Sequence, residues 1–114
     1  MKRALAALAG AVALAGPGVL AWSQASAATS VNVRMTEFKF GLSKSSVAKG
    51  AVTFKLVNKG SVTHDLKIAG KKSKEIAPGK SGSLKVTLKP GSYRYICTLP
   101  GHAASGMKGV LKVR

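Results

Sequence analysis

Apolar and polar residues alternate with a period of two along most of the chain after Val31. The alternating segments are short, and turn signals such as Asn58 to Gly60 and Pro90-Gly91 separate them. Side chains along a strand point alternately to its two faces, so this pattern is typical of strands with one buried and one solvated face. No segment has a convincing helical period. About seven short strands with regular turns predict an all-β fold, a β-sandwich with Greek-key connections.

The alternation changes parity inside the first predicted strand. Its apolar residues have odd numbers at first and even numbers afterwards: Val31, Val33 and Met35, then Phe38 and Phe40. Because a strand keeps one side-chain period, a change of parity needs an extra residue or an interruption. The sequence therefore predicts a bulge or break near Thr36-Glu37.

A later segment alternates around a histidine. Val62, His64, Leu66 and Ile68 share one predicted face, and Thr63, Asp65 and Lys67 share the other. This pattern predicts a strand that presents His64 on its apolar side.

The first 27 residues differ from the rest. Lys2 and Arg3 precede an apolar run from Ala4 to Trp22, and Ala25-Ser26-Ala27 supplies the small residues that signal peptidase requires. We interpret residues 1–27 as a signal peptide helix that is removed on export, and residues 28–114 as one small domain. An uncleaved membrane anchor is the alternative, because the apolar run is nearly long enough to span a bilayer. Export predicts a periplasmic or extracellular location in a bacterium.

The chain is strongly basic, with 19 Lys and Arg residues against 3 Asp and Glu residues and a formal net charge of +16. Such a charge attracts acidic proteins, anionic membranes or cell-wall polyanions. Nucleic acid is a poor match, because we expect export and find no Arg-rich or aromatic-basic binding pattern. Many lysines alternate with apolar residues, so we interpret them first as solvated strand faces and edges that resist edge-to-edge pairing, and a specific docking patch is the alternative.

Four side chains indicate a metal site. Cys97, His102 and Met107 lie on one loop, and His64 is the only other histidine. Taken singly, a cysteine, a histidine or a methionine on an apolar face has an ordinary structural role. Together they provide the two imidazoles, the thiolate and the weak axial thioether of a blue-copper electron-transfer site. A bound metal would also stabilise a small exported domain whose single cysteine cannot form an internal disulfide.

Other metal groups fit the sequence less well. Zinc seldom recruits a thioether, and there is no Cys-x-x-Cys-His motif for haem attachment.

The residues around these donors resemble the cupredoxins, the family that includes plastocyanin, azurin and rusticyanin. The resemblance covers essentially the whole predicted domain, with Cys97 separated from His102, and His102 from Met107, by four residues each. It also includes the pair His64-Asp65 and two tyrosine- or phenylalanine-rich stretches, Tyr93 to Cys97 and Glu37 to Phe40. Asp65 stands where many relatives have an asparagine that ties the two ligand loops together.

The resemblance implies one type 1 copper ion that cycles between Cu(I) and Cu(II). Cys97 would form a short, covalent thiolate bond to copper, His64 and His102 would each supply a ring nitrogen, and Met107 would lie at longer range and tune the potential. The small or apolar residues around His102 suit brief docking with a redox partner.

We therefore expect a monomeric one-electron carrier rather than an enzyme. Its partner would be an acidic redox protein, such as a c-type cytochrome or a copper or haem oxidoreductase. A periplasmic protein that binds and delivers copper is the alternative, although copper chaperones usually expose more Met and His residues than this chain has. Oxidases and nitrite reductases of related fold need additional histidine-bound coppers, and no histidine remains after one site is filled.

Overall fold

The structure, a computed structural model, describes residues 28–114. The predicted signal peptide, residues 1–27, lies outside this range. Nine strands are present among the described residues: β1 (Thr29–Thr36), β2 (Lys39–Leu42), β3 (Ser46–Val47), β4 (Gly50–Asn58), β5 (Lys67–Ile68), β6 (Lys71–Lys72), β7 (Ser81–Leu88), β8 (Gly91–Ile96) and β9 (Lys108–Val113).

The strands form two sheets. One has four strands in the order β2-β1-β4-β7, and the other has five in the order β3-β9-β8-β5-β6. β1 runs parallel to β4 and β3 runs parallel to β9, whereas the other neighbours are antiparallel. The predicted all-β sandwich is confirmed.

The core lies between the two sheets and is built from the residues that the alternation assigned to inner faces. Its fully buried side chains include Val31, Val33 and Met35 of β1 and Phe54 and Leu56 of β4 on one side, and Leu111 of β9 on the other. Among residues 28–114, no helix is long and apolar enough to cross a membrane.

The change of parity near Thr36 coincides with a β-hairpin. β1 ends at Thr36, residues 37 and 38 form the turn, and β2 returns antiparallel with Met35 opposite Phe40. The predicted break is therefore confirmed, and its cause is a reversal of the chain. Because the chain reverses, Glu37 and Phe38 lie at the end of the sandwich.

The predicted strand around His64 differs from the structure. Only Lys67–Ile68 is a strand, and His64 forms an isolated antiparallel bridge with Ile76. Val62 is 42% exposed, whereas Asp65 is completely buried, so the period of two does not hold here. The segment is a loop because side chains satisfy its backbone groups: the Asn58 amide donates to the carbonyl oxygens of Val62 (2.8 Å) and Ile76 (2.7 Å).

Candidate metal centre

Three metal-binding side chains meet at one end of the sandwich. One donor atom each from His64, Cys97 and His102 lies within 4.8 Å of the other two. The Cys97 Sγ is 3.4 Å from the His102 Nδ1, and the two imidazole centroids are 5.1 Å apart. His64 lies in the loop between β4 and β5, and the other two residues follow β8. The fold therefore brings donors from two separate segments together.

His64 has one ring nitrogen without a partner. The side chain is completely buried, and its Nδ1 has no hydrogen-bond partner among the described residues. Leaving a buried polar atom unpaired costs about 1–3 kcal/mol, so such an atom usually has a ligand. The thiol and the second imidazole lie beside it, and thiolate and imidazole donors together suit copper. The residues present therefore fit a copper ion.

Glu37 determines which His64 nitrogen is free. Its Oε1 lies 2.9 Å from the His64 Nε2. This hydrogen bond, more than any other cause, lowers the pKa of Glu37 from 4.5 to about 2, so the carboxylate is ionised and can only accept. Nε2 must then be the donor. In the neutral imidazole this leaves the lone pair on Nδ1, the nitrogen that has no other partner.

The same carboxylate also holds the loop that leads to His64. It accepts hydrogen bonds from the Ser61 N–H (2.9 Å), the Ser61 hydroxyl (3.1 Å) and the Val62 N–H (3.3 Å). Gly60 permits this approach, since a Cβ there would collide with the Glu37 carboxylate. The loop is therefore attached to the β1–β2 turn through one side chain.

Sequence reasoning missed this role of Glu37. In the sequence, the residue belongs to a stretch that resembles the cupredoxins and lies at the predicted break. Two signals were available: it is one of 3 acidic residues in a chain with 19 basic ones, and it lies at the change of parity. Neither signal identifies His64, 27 residues away, as its partner.

Asp65 joins the two loops that carry the donors. It is completely buried, and its two carboxylate oxygens accept hydrogen bonds from the backbone N–H of Thr98 (2.7 Å) and from the Thr98 hydroxyl. Asp65 follows His64 and Thr98 follows Cys97. The aspartate therefore makes the connection between loops that the resemblance assigns to an asparagine in many relatives.

The loop from Cys97 to Met107 is closed by its own backbone. The Cys97 N–H donates to the Met107 carbonyl (3.1 Å), and the Met107 N–H donates to the His102 carbonyl (3.0 Å). Gly101 (φ 79°) and Gly106 (φ 113°) adopt backbone conformations that favour glycine. Met107 is completely buried at the start of β9. The structure thus places Met107 beside Cys97 in the backbone pairing, and its role as an axial ligand stays a prediction.

Burial also affects the thiol of Cys97. The side chain is 1% exposed and forms no disulfide. Desolvation raises its pKa above the ordinary value, although the backbone N–H groups of Asp65 and Leu99 oppose the shift. Because a metal binds the thiolate, loading the site releases this proton.

His102 forms the outer edge of the site. Its side chain is only partly buried, and its ring packs edge-to-face against Phe38 with the centroids 4.9 Å apart. Phe38 is itself 37% exposed and lies in the β1–β2 turn. The turn therefore contributes Glu37 to His64 and Phe38 to His102.

Comparison with known proteins agrees with this geometry. The sequence pattern of the Cupredoxin-like domain family matches residues 4–113. The chain belongs to this family. A 36-residue stretch is 58% identical to auracyanin-B of Chloroflexus aurantiacus. The stretch makes up 31% of this chain and 15% of auracyanin-B. The cupredoxin match therefore extends over nearly the whole chain, whereas the similarity to auracyanin-B is confined to a short stretch.

Solved structures of related proteins have the same fold. The reduced auracyanin of Roseiflexus castenholzii superposes with a TM-score of 0.64 and 24% identity over 75% of this chain and 97% of that one. Auracyanin A of Chloroflexus aurantiacus, a "blue" copper protein, superposes with a TM-score of 0.62 and 20% identity over 77% of this chain and all of that one. The two sheets of this cupredoxin are thus arranged as in the auracyanins.

Proposed function

We propose that this cupredoxin is an exported one-electron carrier with a single type 1 copper ion bound by His64, Cys97, His102 and Met107. The observation that carries the proposal is the buried, unpartnered Nδ1 of His64, whose side chain lies with the Cys97 thiol and the His102 imidazole in one cluster. The family membership and the "blue" copper protein auracyanin A support the choice of metal.

The surrounding residues would hold the donors in one geometry. A bound copper ion supplies the one-electron couple. Glu37 orients the His64 ring, Asp65 connects the loops of His64 and Cys97, and the core packs against Cys97 and Met107. Donors that cannot move keep the same arrangement in both oxidation states, which lowers the reorganisation that accompanies electron transfer.

The partly exposed edge of His102 is the proposed point of electron exchange. Phe38 packs against it, and the apolar residues Leu99 and Pro100 lie just before it on the same loop, which suits a small and short-lived interface. The positive charge of the chain favours an acidic redox protein as the partner, for example a c-type cytochrome or an oxidoreductase. Residues 1–27 would direct the protein to the periplasm or the cell exterior, where residues 28–114 act as a monomeric domain.

Visible absorption of the copper-loaded protein tests the proposal. Copper(II) should produce an intense thiolate-to-copper band, and Cys97→Ser should remove it. The loaded protein should also exchange electrons rapidly with a cytochrome, and it should not release the metal to an apo-enzyme. Absence of the band from the wild-type protein, or its survival in Cys97→Ser, would contradict the proposal.

A further inference from the structure

Cations are concentrated on the outer face of the five-stranded sheet. β8 and β9 pair so that Arg94 lies opposite Val110 and Ile96 lies opposite Lys108. Residues directly opposite each other share a face of the sheet, so the pairing identifies the outward side chains. Five exposed basic residues of this face, called here the basic face, are Lys67, Lys72, Arg94, Lys108 and Lys112.

Three lysines of the basic face lie in one row across the strands. Lys72 is opposite Lys67, Lys67 is opposite Ile96, and Ile96 is opposite Lys108. Like charges directly opposite each other destabilise a sheet. The row therefore has an electrostatic cost that packing within the domain does not explain.

No acidic side chain of the described residues relieves this repulsion. Among residues 28–114, no Lys or Arg side chain forms an ion pair, and Glu37 is hydrogen-bonded to His64. Asp65 is buried against Thr98, and Glu75 lies in the connection between β6 and β7 rather than on the basic face. The repulsion within the lysine row can therefore be reduced only by water, salt ions or an external anion.

A shallow hollow lies within the basic face. It has a volume of about 310 Å³ and is lined by Lys67, Ile68, Ala69, Gly70, Arg94 and Ile96. Lys67 and Arg94 provide cations at its rim, and half-buried Ile96 provides an apolar surface. An acidic side chain fits this chemistry, because its carboxylate can pair with the cations while its methylene groups cover the isoleucine.

The lysine row lies directly beside the metal centre. Ile96 precedes Cys97, Lys108 follows Met107, and Lys67 lies two residues after Asp65. A protein held on this face is therefore held next to both loops that carry the donors.

The opposite sheet provides a comparison. Its outward cations also flank a hollow, of about 360 Å³, with Arg34 and Lys55 in the lining. They are spaced differently: Arg34 lies opposite Val57, Lys55 opposite Ser83, and Lys85 opposite Thr53. Within residues 28–114, only the five-stranded sheet places two lysines, Lys67 and Lys72, directly opposite each other. Lys67 and Lys108 also lie at the strand ends that join the metal loops.

We propose that the basic face is the docking surface for the acidic surface of a redox protein, with one carboxylate side chain seated between Lys67 and Arg94. This inference rests on the proposed electron-carrier function and specifies where its partner binds. The attraction is electrostatic, so binding weakens as salt screens it. The partner's carboxylates would relieve the repulsion within the lysine row.

Binding to a chemically acidified protein tests the proposal without requiring the natural partner. The probe is cytochrome c whose lysines have been succinylated, and unmodified cytochrome c, which is basic, serves as the negative control. Two triple variants of the copper-loaded full chain are compared. The basic-face variant carries Lys67→Glu, Lys72→Glu and Lys108→Glu. The control variant carries Arg34→Glu, Lys55→Glu and Lys85→Glu on the four-stranded sheet. Both triple variants change the net charge equally, so they separate a local docking surface from the total charge.

The dissociation constant is measured at about 0.01 M and about 0.1 M ionic strength, where the Debye length is ~30 and ~10 Å. We expect the basic-face variant to weaken binding about tenfold or more at the lower salt concentration, and the other variant about threefold or less. Equal losses would overturn the proposal, because total charge would then explain them. A second basic-face variant with Gln at the same three positions should show a smaller loss in the same direction.

Two further measurements complete the test. Vesicles of equal parts phosphatidylcholine and phosphatidylglycerol measure attraction to a membrane. If the basic-face variant loses vesicle binding but keeps its affinity for the succinylated protein, the face binds lipid and the proposal is wrong. Reduction of the loaded protein by a neutral hydroquinone tests electron transfer independently of docking, so failure there overturns the proposed function without deciding where an acidic protein binds.

Discussion

The two histidines of the candidate metal centre differ in how the protein holds them. His64 is completely buried, its Nε2 donates to Glu37, and its loop is held by hydrogen bonds that involve no metal. His102 is partly exposed and lies on a loop closed by its own backbone, with Phe38 against one edge of the ring. The fold therefore positions one imidazole before metal arrives. The other lies where a partner or a small molecule can reach it.

Removing each imidazole in turn should give the largest measurable difference between the two histidines. We expect His64→Gly and His102→Gly both to lose the visible copper band, since each removes a donor. Added imidazole should restore the band in His102→Gly, because this position opens to solvent, and should restore little in His64→Gly, because that space is enclosed. Absorption titrations with imidazole measure the difference. Equal recovery in both variants would show that burial does not distinguish the two sites.

Glu37→Gln should weaken the hydrogen bonds that position the buried His64 imidazole. The amide cannot accept charge-assisted hydrogen bonds from Ser61, Val62 and His64 together. Loss of a residue that orients a metal ligand typically lowers metal affinity about 10–100-fold, so copper dissociation should accelerate and the visible band should shift. Glu75→Gln is the matched control, because Glu75 is exposed and its side chain forms no hydrogen bond with either donor loop, although its neighbour Ile76 pairs with His64. Identical dissociation rates in the two variants would contradict a positioning role for Glu37.

Asp65 connects the loop of His64 to the loop of Cys97, so its replacement should loosen the attachment between them. Asp65→Ala leaves the partly buried N–H of Thr98 without its acceptor and should destabilise the protein by about 1–3 kcal/mol. Asp65→Asn keeps one acceptor oxygen and should cost less. Denaturant unfolding of the metal-free proteins measures both values. The connection would be unimportant if the alanine variant unfolded at the wild-type midpoint.

The pH dependence of folding should show the smallest effect. The pKa of Glu37 falls from 4.5 to about 2 on folding, chiefly through its hydrogen bond with His64. A depressed pKa stabilises the folded state above pH 4.5, and this contribution disappears as the pH falls from 4.5 towards 2. Acid unfolding of the metal-free wild type should therefore be steeper in this interval than that of Glu37→Gln. Parallel curves would mean that the carboxylate contributes nothing to stability.

Much of this protein was predictable from local patterns. Alternation of apolar and polar residues indicated strands because a strand has a side-chain period of two, and the central residues of β1 and β4 follow it, from Val31 to Met35 and from Val52 to Leu56. The pattern misled between Val62 and Asp65, where the backbone of Val62 is bonded to the side chains of Asn58 and Glu37 and that of His64 pairs only with Ile76. An apolar-polar period predicts which face of a regular strand is buried. It does not predict a loop whose backbone is bonded to side chains from distant parts of the sequence.

The sequence by itself determined the all-β sandwich, the strong positive charge and the set of donors to be brought together, because each depends on residue type and spacing along the chain. Only the tertiary structure decided that Glu37 selects the free nitrogen of His64, that Asp65 reaches Thr98, and that three lysines lie in one row beside the metal loops. These relations join residues far apart in the sequence. They arise from strand register and chain reversal, which no short stretch of sequence specifies.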